Sequence, residues 1–268
     1  MFIYQFKKKI DNQSKYKSSS QFNEDLYLVE IFKGNTGVIV DVGANDGDFG
    51  SNSMLLESLS WDTILIEPNP DLCDYINAHR KPSYLFQYAA SSKEGEVKLY
   101  LVDGNALAHG LSTLEPTKEN LERMQENNFT YRKVKVTAKT LDTMLTDTKI
   151  QKFDVISIDV EGHELDVLKG LSLDRWEPTI LIIEDNSIYT SNEVSTYMKK
   201  LGYARFFRTG VNDWYARKEN KEFINWKNIL HYNLVKFKAM TWGRLKSEFK
   251  KFRIIRILID TLKNYNLL

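Results

Sequence analysis

Short apolar runs alternate with stretches of helical spacing along most of this chain, and that alternation constrains its fold more than any other feature. Residues 38–42 read as a strand followed by a helix over 51–59, residues 63–67 as a strand followed by a helix over 71–79, and residues 84–88 as a third strand. A second set follows: a strand over 154–159 and a helix over 163–171, then a strand over 179–185 and a helix over 192–201. Strands separated by helices pair in parallel and are covered on both faces, so the expectation is an α/β domain around a mostly parallel sheet. Residues 204–208 and 211–217 flank Thr209-Gly210, a hairpin signal that places an antiparallel pair at the end of the sheet. Residues 96–102 and 132–137 read as extra strands, separated by a polar insertion over 103–130.

With 268 residues and 42% hydrophobic side chains, the chain can bury one full core plus an appendage. Three segments are expected: a polar, loosely held arm over 1–20, the α/β domain over 21–218, and a helical extension over 219–268. The lone Cys73 cannot form an internal disulfide, and no leader-like or spanning apolar run stands out, which predicts a reducing, cytoplasmic setting. The net charge of +1 hides an asymmetry. Residues 219–268 carry 11 Lys and Arg against 4 Asp and Glu, whereas residues 1–218 carry 26 against 32. An acidic body lacks the basic footprint of a nucleic-acid binder, so no nucleic-acid partner is expected.

The first strand runs into Asp41-Val42-Gly43-Ala44-Asn45-Asp46-Gly47, a glycine-punctuated turn at the carboxyl edge of the sheet, where open α/β folds bind ligands. Ser51 or Ser53 can cap the next helix. The loop lacks the G-x-G-x-x-G pattern of a dinucleotide site and instead carries Asp41, Asp46 and Asp48. Carboxylates repel a pyrophosphate but suit the sulfonium and ammonium of S-adenosylmethionine. Glu67 ends the second strand, a position from which a carboxylate accepts hydrogen bonds from ribose hydroxyls, and Pro68-Asn69-Pro70 holds a turn behind it.

In order and spacing, several motifs resemble the FkbM-type methyltransferases: the lead-in Ser20-Gln21 with Glu24-Asp25-Leu26, DVGANDG at 41–47, Ser51-Asn52-Ser53, IEPNP at 66–70, AASS at 89–92, TLD at 140–142 and SIDVEGHELDVLKG at 157–170. The resemblance runs from Ser20 to about Arg217. It implies a class I methyltransferase, Rossmann-like fold with seven strands. It also implies S-adenosylmethionine bound across Asp41, Gly43, Asn45, Gly47, Glu67, Asn69 and Ala89, and O-methylation of a sugar, glycan or secondary-metabolite hydroxyl. Asn45 stands where many methyltransferases have Gly.

Asp159, Glu161, His163 and Glu164 crowd the end of the fourth core strand. Methyl transfer from a sulfonium needs a substrate oxygen in line and a group that takes its proton, and His163 is the best placed of the four histidines. Asp159 and Glu161 complete the expected catalytic group. His79, His109 and His231 are expected at the surface or in packing roles, and Trp61, Trp176 and Trp214 in the core. Asp159, Asp185 and Asn186 resemble the magnesium site of catechol-type O-methyltransferases, and such oxygen ligands would suit Mg²⁺. The insertion, with Gly104, Gly110 and Ser112-Thr113, is expected to form a substrate lid.

The extension reads as two helices, over 223–237 and 244–262, the second with Leu245, Phe249, Phe252, Ile255, Ile259 and Leu262 on one face and basic residues on others. It admits two readings: packing on the acidic body or on a second subunit, as in a homodimer, which the charge balance favours, or peripheral contact with an anionic membrane. An alternative function for the whole chain is a cofactor-binding scaffold of a glycan-assembly complex without turnover.

Overall fold

The computed structural model describes residues 1–102, 112–114, 116, 122, 125, 126, 128–186 and 193–251, with the side chains of 8, 12, 13 and 239–251 outside that description. Its centre is a seven-stranded sheet in the order 84–86, 62–66, 38–42, 155–158, 180–184, 212–217, 203–209 by residue range. The strands are β1 (Val38–Val42), β2 (Asp62–Ile66), β3 (Tyr84–Phe86), β7 (Val155–Ile158), β8 (Ile180–Glu184), β9 (Tyr203–Thr209) and β10 (Asn212–Arg217). β10 alone runs against the others, pairing antiparallel with both β8 and β9. The expected mostly parallel sheet with a closing hairpin is therefore present.

Strand periodicity sorts the core into two layers. Val40, Val42, Ile64, Ile66, Ile156, Ile158, Leu181 and Ile183 face one side, where they meet Leu141, Met144, Val167, Leu168 and Met198 from the helices Leu141–Thr146, Glu164–Lys169 and Glu193–Lys200. Ile39, Val155, Ile180 and Ile182 alternate onto the other side, against the helices Glu24–Ile31 and Met54–Ser58. Trp61, Trp176 and Trp214 are buried, as expected.

β4 (Ala89–Ala90), β5 (Gly95–Val102) and β6 (Tyr131–Lys139) form a second, three-stranded sheet in the order β4-β6-β5. Most of the expected insertion, including Gly104, His109 and Gly110, lies outside the described residues.

Two expectations are corrected. The arm over 1–20 is not loosely held: its residues form a short 3₁₀ turn and the helix Phe6–Gln13, which bury Ile3 and Ile10. The extension runs as one helix, Trp226–Lys251, with no break near residue 240; the expected apolar face from Leu245 to Leu262 lies outside the described side chains.

The lead-in residues lock the chain's beginning to its closing hairpin. Glu24 is fully buried; its Oε1 accepts Thr209 Oγ1 at 2.7 Å and Asn212 Nδ2 at 2.9 Å, and its Oε2 accepts the Phe22 amide at 2.8 Å. Asp25, also fully buried, gathers the Ser18 and Ser20 hydroxyls and the Ser19 amide. Removing the Glu24 carboxylate leaves three donors unmet in the interior. Glu24→Ala is expected to lower the free energy of unfolding by about 2–4 kcal/mol in urea titrations, against less than about 0.5 kcal/mol for Lys93→Ala at the exposed surface.

Candidate active site

Four neighbouring strands of the large sheet end in carboxylates at one edge: Asp41 within β1, Glu67 after β2, Asp159 after β7 and Glu184 at the end of β8. A cleft open to solvent lies above this edge. Gly43, Asn45, Glu67, Ala89, Asp159, Glu161 and His163 line it together, with Tyr88, Leu99 and Thr113 from the small sheet and its insertion.

The loop after β1 is shaped by its neighbour strand. Gly43 has φ +82°, and a Cβ there would lie 1.8 Å from the Asp159 carbonyl oxygen. The Gly43 and Ala44 amides both donate to Ile66 O, at 2.9 and 3.1 Å. Glycine is thus required by the approach of the β7 end. Asn45, at φ +52°, occupies the left-handed region that asparagine tolerates better than most side chains, which explains how it stands where glycine is usual.

Glu67 is the best-defined polar group of the cleft. Its Oε2 accepts the Asn45 amide at 3.0 Å and its Oε1 the Asn69 amide at 2.8 Å, so one carboxylate ties the β1 loop to the β2 loop. Burial pushes its pKa up to about 7, against the pull of those two amides and with a further push from Asp46. Asn69 itself does not line the cleft; its side chain caps the helix Pro70–His79 by accepting the Asp71 amide at 3.1 Å.

Asp41 and Gly47 also lie off the cleft lining. Asp41 Oδ2 accepts the Ser53 hydroxyl at 2.7 Å, and burial raises its pKa against the help of Ser53 and Arg80. Arg80 is a buried guanidinium that donates to Gly47 O at 2.7 Å, to Ser51 and Ser53 Oγ at 3.3 and 3.2 Å, and pairs with Glu57 at 2.8 Å. Ser51, rather than Ser53, caps the next helix by accepting the Met54 amide at 3.1 Å. Nothing in the sequence around Arg80 marks it.

His163 Nε2 lies 3.0 Å from Asp166 Oδ2. Partial burial works against the charged form of Asp166, but the Ser91 hydroxyl, the Ser92 amide and hydroxyl, and His163 hold it down to about 2. The i,i+3 spacing at a helix start was a legible signal for this pair, although AASS gave none for its link to Asp166. Gly170 admits that link, since a Cβ there would lie 2.3 Å from Ser91 O. In the TLD motif, Thr140 caps a helix and Asp142 accepts from Trp176 Nε1 at 2.7 Å, so both are framework residues.

Within the expected ligand trio Asp159, Asp185 and Asn186, the last two have other partners. Asp185 turns toward Arg205 and Arg208, at 3.8 and 3.9 Å, beside the buried Asp213 that pairs with both arginines. The Asn186 amide donates to Glu184 Oε1 at 2.6 Å. Instead, carboxylate oxygens of Asp159, Glu161 and Glu184 lie within 4.8 Å of one another, a spacing a divalent cation could bridge. Glu184 stands well above the usual carboxylate range because it is buried and faces Asp159, Glu161 and Glu164. Glu161 has φ +54°, a strained left-handed conformation for a residue with a side chain. His79 stacks on Tyr75 and His231 packs at a tilt against Tyr4, both away from the cleft.

The family model described as the methyltransferase FkbM domain matches residues 41–204. The chain is 27% identical over 155 residues to the hexuronic acid methyltransferase AglP of Haloferax volcanii, covering 55% of each chain. It is 26% identical over 160 residues to the 2-O-methyltransferase NoeI of Sinorhizobium fredii, covering 58% of this chain and 65% of that protein. The chain thus spans about half to two thirds of the length of these relatives. Among solved structures, TrmK of M. capricolum with S-adenosyl-homocysteine superposes with a TM-score of 0.37 at 12% identity, over 86% of this chain and 91% of that one.

Because Glu67 takes up a proton on folding between its ordinary pKa of 4.5 and about 7, its contribution to stability falls as pH rises through that window and levels off above it. Glu67→Gln is expected to remove about 3 kcal/mol of that decline, read from urea midpoints between pH 5 and pH 8; an unchanged slope would assign the decline to other groups. Gly43→Ala is expected to cost more than about 2 kcal/mol through the clash with the β7 end.

Proposed function

As a member of the FkbM methyltransferase domain family, the chain has a cleft that, we propose, binds S-adenosylmethionine and transfers its methyl group to a hydroxyl of a sugar, glycan or related metabolite. One observation carries this reading: the Glu67 carboxylate, fixed by two loop amides, shares a cleft with the Gly43 turn on one side and with Asp159 and His163 on the other.

The residues present fit that cofactor. Glu67 is an acceptor at the end of β2, suited to a pair of ribose hydroxyls, and Ala89 and Ala90 leave room beside it for a flat ring. Carboxylates at the strand ends complement the sulfonium and ammonium of this ligand and would repel a pyrophosphate. When bound, S-adenosylmethionine supplies an electrophilic methyl carbon on a sulfonium, displaced in line by an oxygen nucleophile.

His163 is the proton acceptor in this scheme. Its ring lies beside Asp166, with Nε2 3.0 Å from Oδ2, and the hydroxyl proton passes to the imidazole as the oxygen–methyl bond forms and the carbon–sulfur bond breaks toward sulfur. Asp166 stays ionised and steadies the imidazolium that results. Asp159 and Glu161 border the acceptor side of the cleft, where they can accept from other hydroxyls of a polyol. Cleft-lining side chains among the described residues include three carboxylates and neither Lys nor Arg, which favours an uncharged sugar hydroxyl over a uronate.

Calorimetry with S-adenosylhomocysteine tests the cofactor assignment. Binding is expected for the chain and weakened at least about tenfold in Glu67→Ala, while binding of NAD in its place would overturn the assignment. His163→Ala is expected to lower turnover by about 10²–10⁴-fold with cofactor affinity retained. Asp166→Asn should lower it less and displace the acidic limb of the pH profile. Among acceptors, neutral glycans should outperform their uronate counterparts; a preference for uronates would remove the charge argument.

A further inference from the structure

The structure brings together two basic segments from opposite ends of the chain. Residues 1–17 carry five Lys and one Asp, and residues 223–247 carry five Lys and Arg and no acid. They meet through specific contacts. The amino-terminal ammonium donates to Glu222 O at 2.8 Å, the Ile3 amide to Asn228 Oδ1 at 3.1 Å, and Asn225 Nδ2 to Met1 O at 2.8 Å. The Tyr4 and His231 rings lie 3.7 Å apart. Asn228 and Tyr232 are thereby buried, which fixes the inner side of the helix Trp226–Lys251 against the body.

The outer side of that helix is apolar. Trp226, Leu230 and Leu234 recur every four residues and are 71%, 51% and 51% exposed, and Phe237 on the same side is 66% exposed. Lys7, Lys15, Lys17 and Lys227 are exposed on the two joined segments. No helix among the described residues is long and apolar enough to cross a membrane. An apolar stripe of Trp, Leu and Phe on a helix joined to a lysine-rich segment matches a helix lying in a bilayer interface, where the apolar side chains enter the acyl boundary and cations meet anionic headgroups.

We propose that the joined amino-terminal segment and the outer face of the helix Trp226–Lys251 form a docking surface for an anionic phospholipid bilayer. A second copy of the chain fits this face less well, because a two-fold contact along the stripe would set like-charged rims against each other. A nucleic acid would neutralise the lysines but leave the Trp and Leu stripe in water. The proposal is independent of the methyl-transfer reading, since neither the surface nor its test involves the cleft.

The test is co-sedimentation of the full chain with vesicles of phosphatidylcholine alone and with vesicles containing about 30% phosphatidylglycerol. Binding to the anionic vesicles alone, weakened by salt, is expected. Leu230→Ser with Leu234→Ser should weaken it at least about tenfold, and reversing charge at Lys7, Lys15, Lys17 and Lys227 at least about a hundredfold. These positions are all exposed, and an unchanged near-ultraviolet circular dichroism spectrum would certify the fold of each variant. Absence of anionic-vesicle binding would overturn the proposal. So would binding that ignores the leucine substitutions, or a concentration-dependent dimer that the leucine variant dissolves without any lipid association.

Discussion

Desolvated negative charge at one edge of a parallel sheet is the constraint that organises this molecule. Asp41 lies one residue before the end of its strand and Glu67, Asp159 and Glu184 lie at or just past the ends of neighbouring strands, and parallel pairing brings them to the same edge. Each must be hydrogen-bonded, matched by a cation or protonated, because an isolated buried carboxylate is too costly. The structure uses all three solutions. Loop amides serve Glu67, Ser53 and the nearby Arg80 serve Asp41, and crowding keeps Glu184 in its neutral form well above the usual carboxylate range.

Those solutions set the geometry of the loops. The Asn45 amide can reach Glu67 only because the chain turns through left-handed conformations at Gly43 and Asn45, and Gly43 must lack a side chain because the β7 end passes against it. Arg80 then fixes the far end of the same loop through Gly47 O and the Ser51 and Ser53 hydroxyls. A backbone bridge between Ser20 and Gly50 ties the loop to the lead-in segment, which Glu24 locks to the closing hairpin. The edge of the cleft is therefore held by contacts that reach both ends of the domain.

Elements governed by local pattern were legible in the sequence, and those governed by partners distant in sequence were not. The strands Val38–Val42, Asp62–Ile66 and Ile180–Glu184 showed because a short run of consecutive apolar residues marks a strand buried on both faces. The closing hairpin showed because Thr209-Gly210 is a turn signal. Ile3 was hidden: its amide bonds Asn228, 225 residues away, and the short apolar run Met1–Tyr4 is followed by a Lys- and Ser-rich stretch that gave no hint of a docked segment. The ligand trio misjudged Asp185 for a similar reason, since the arginines that claim it, Arg205 and Arg208, lie on a strand whose facing could not be read from Asp185's own surroundings. Glu184, one residue earlier, joins Asp159 and Glu161 because it is the last residue of the strand itself.

The same distinction separates residues that shape the site from residues that face it. Asp41, Gly47, Asn69, Thr140 and Asp142 sit within the motifs, yet their side chains or carbonyls are spent on caps and loop ties. Gly43, Asn45, Glu67, Ala89, Asp159, Glu161 and His163 face the cleft. A motif read as a string treats both groups alike. Loop geometry at a buried carboxylate edge cannot tolerate loss of either, because an amide that drifts from Glu67 leaves the carboxylate unsatisfied as surely as removing the amide would. Substitutions behind the loop, at Arg80 or Ser53, therefore act on the cleft through the position of Glu67's donors, without any contact with a ligand.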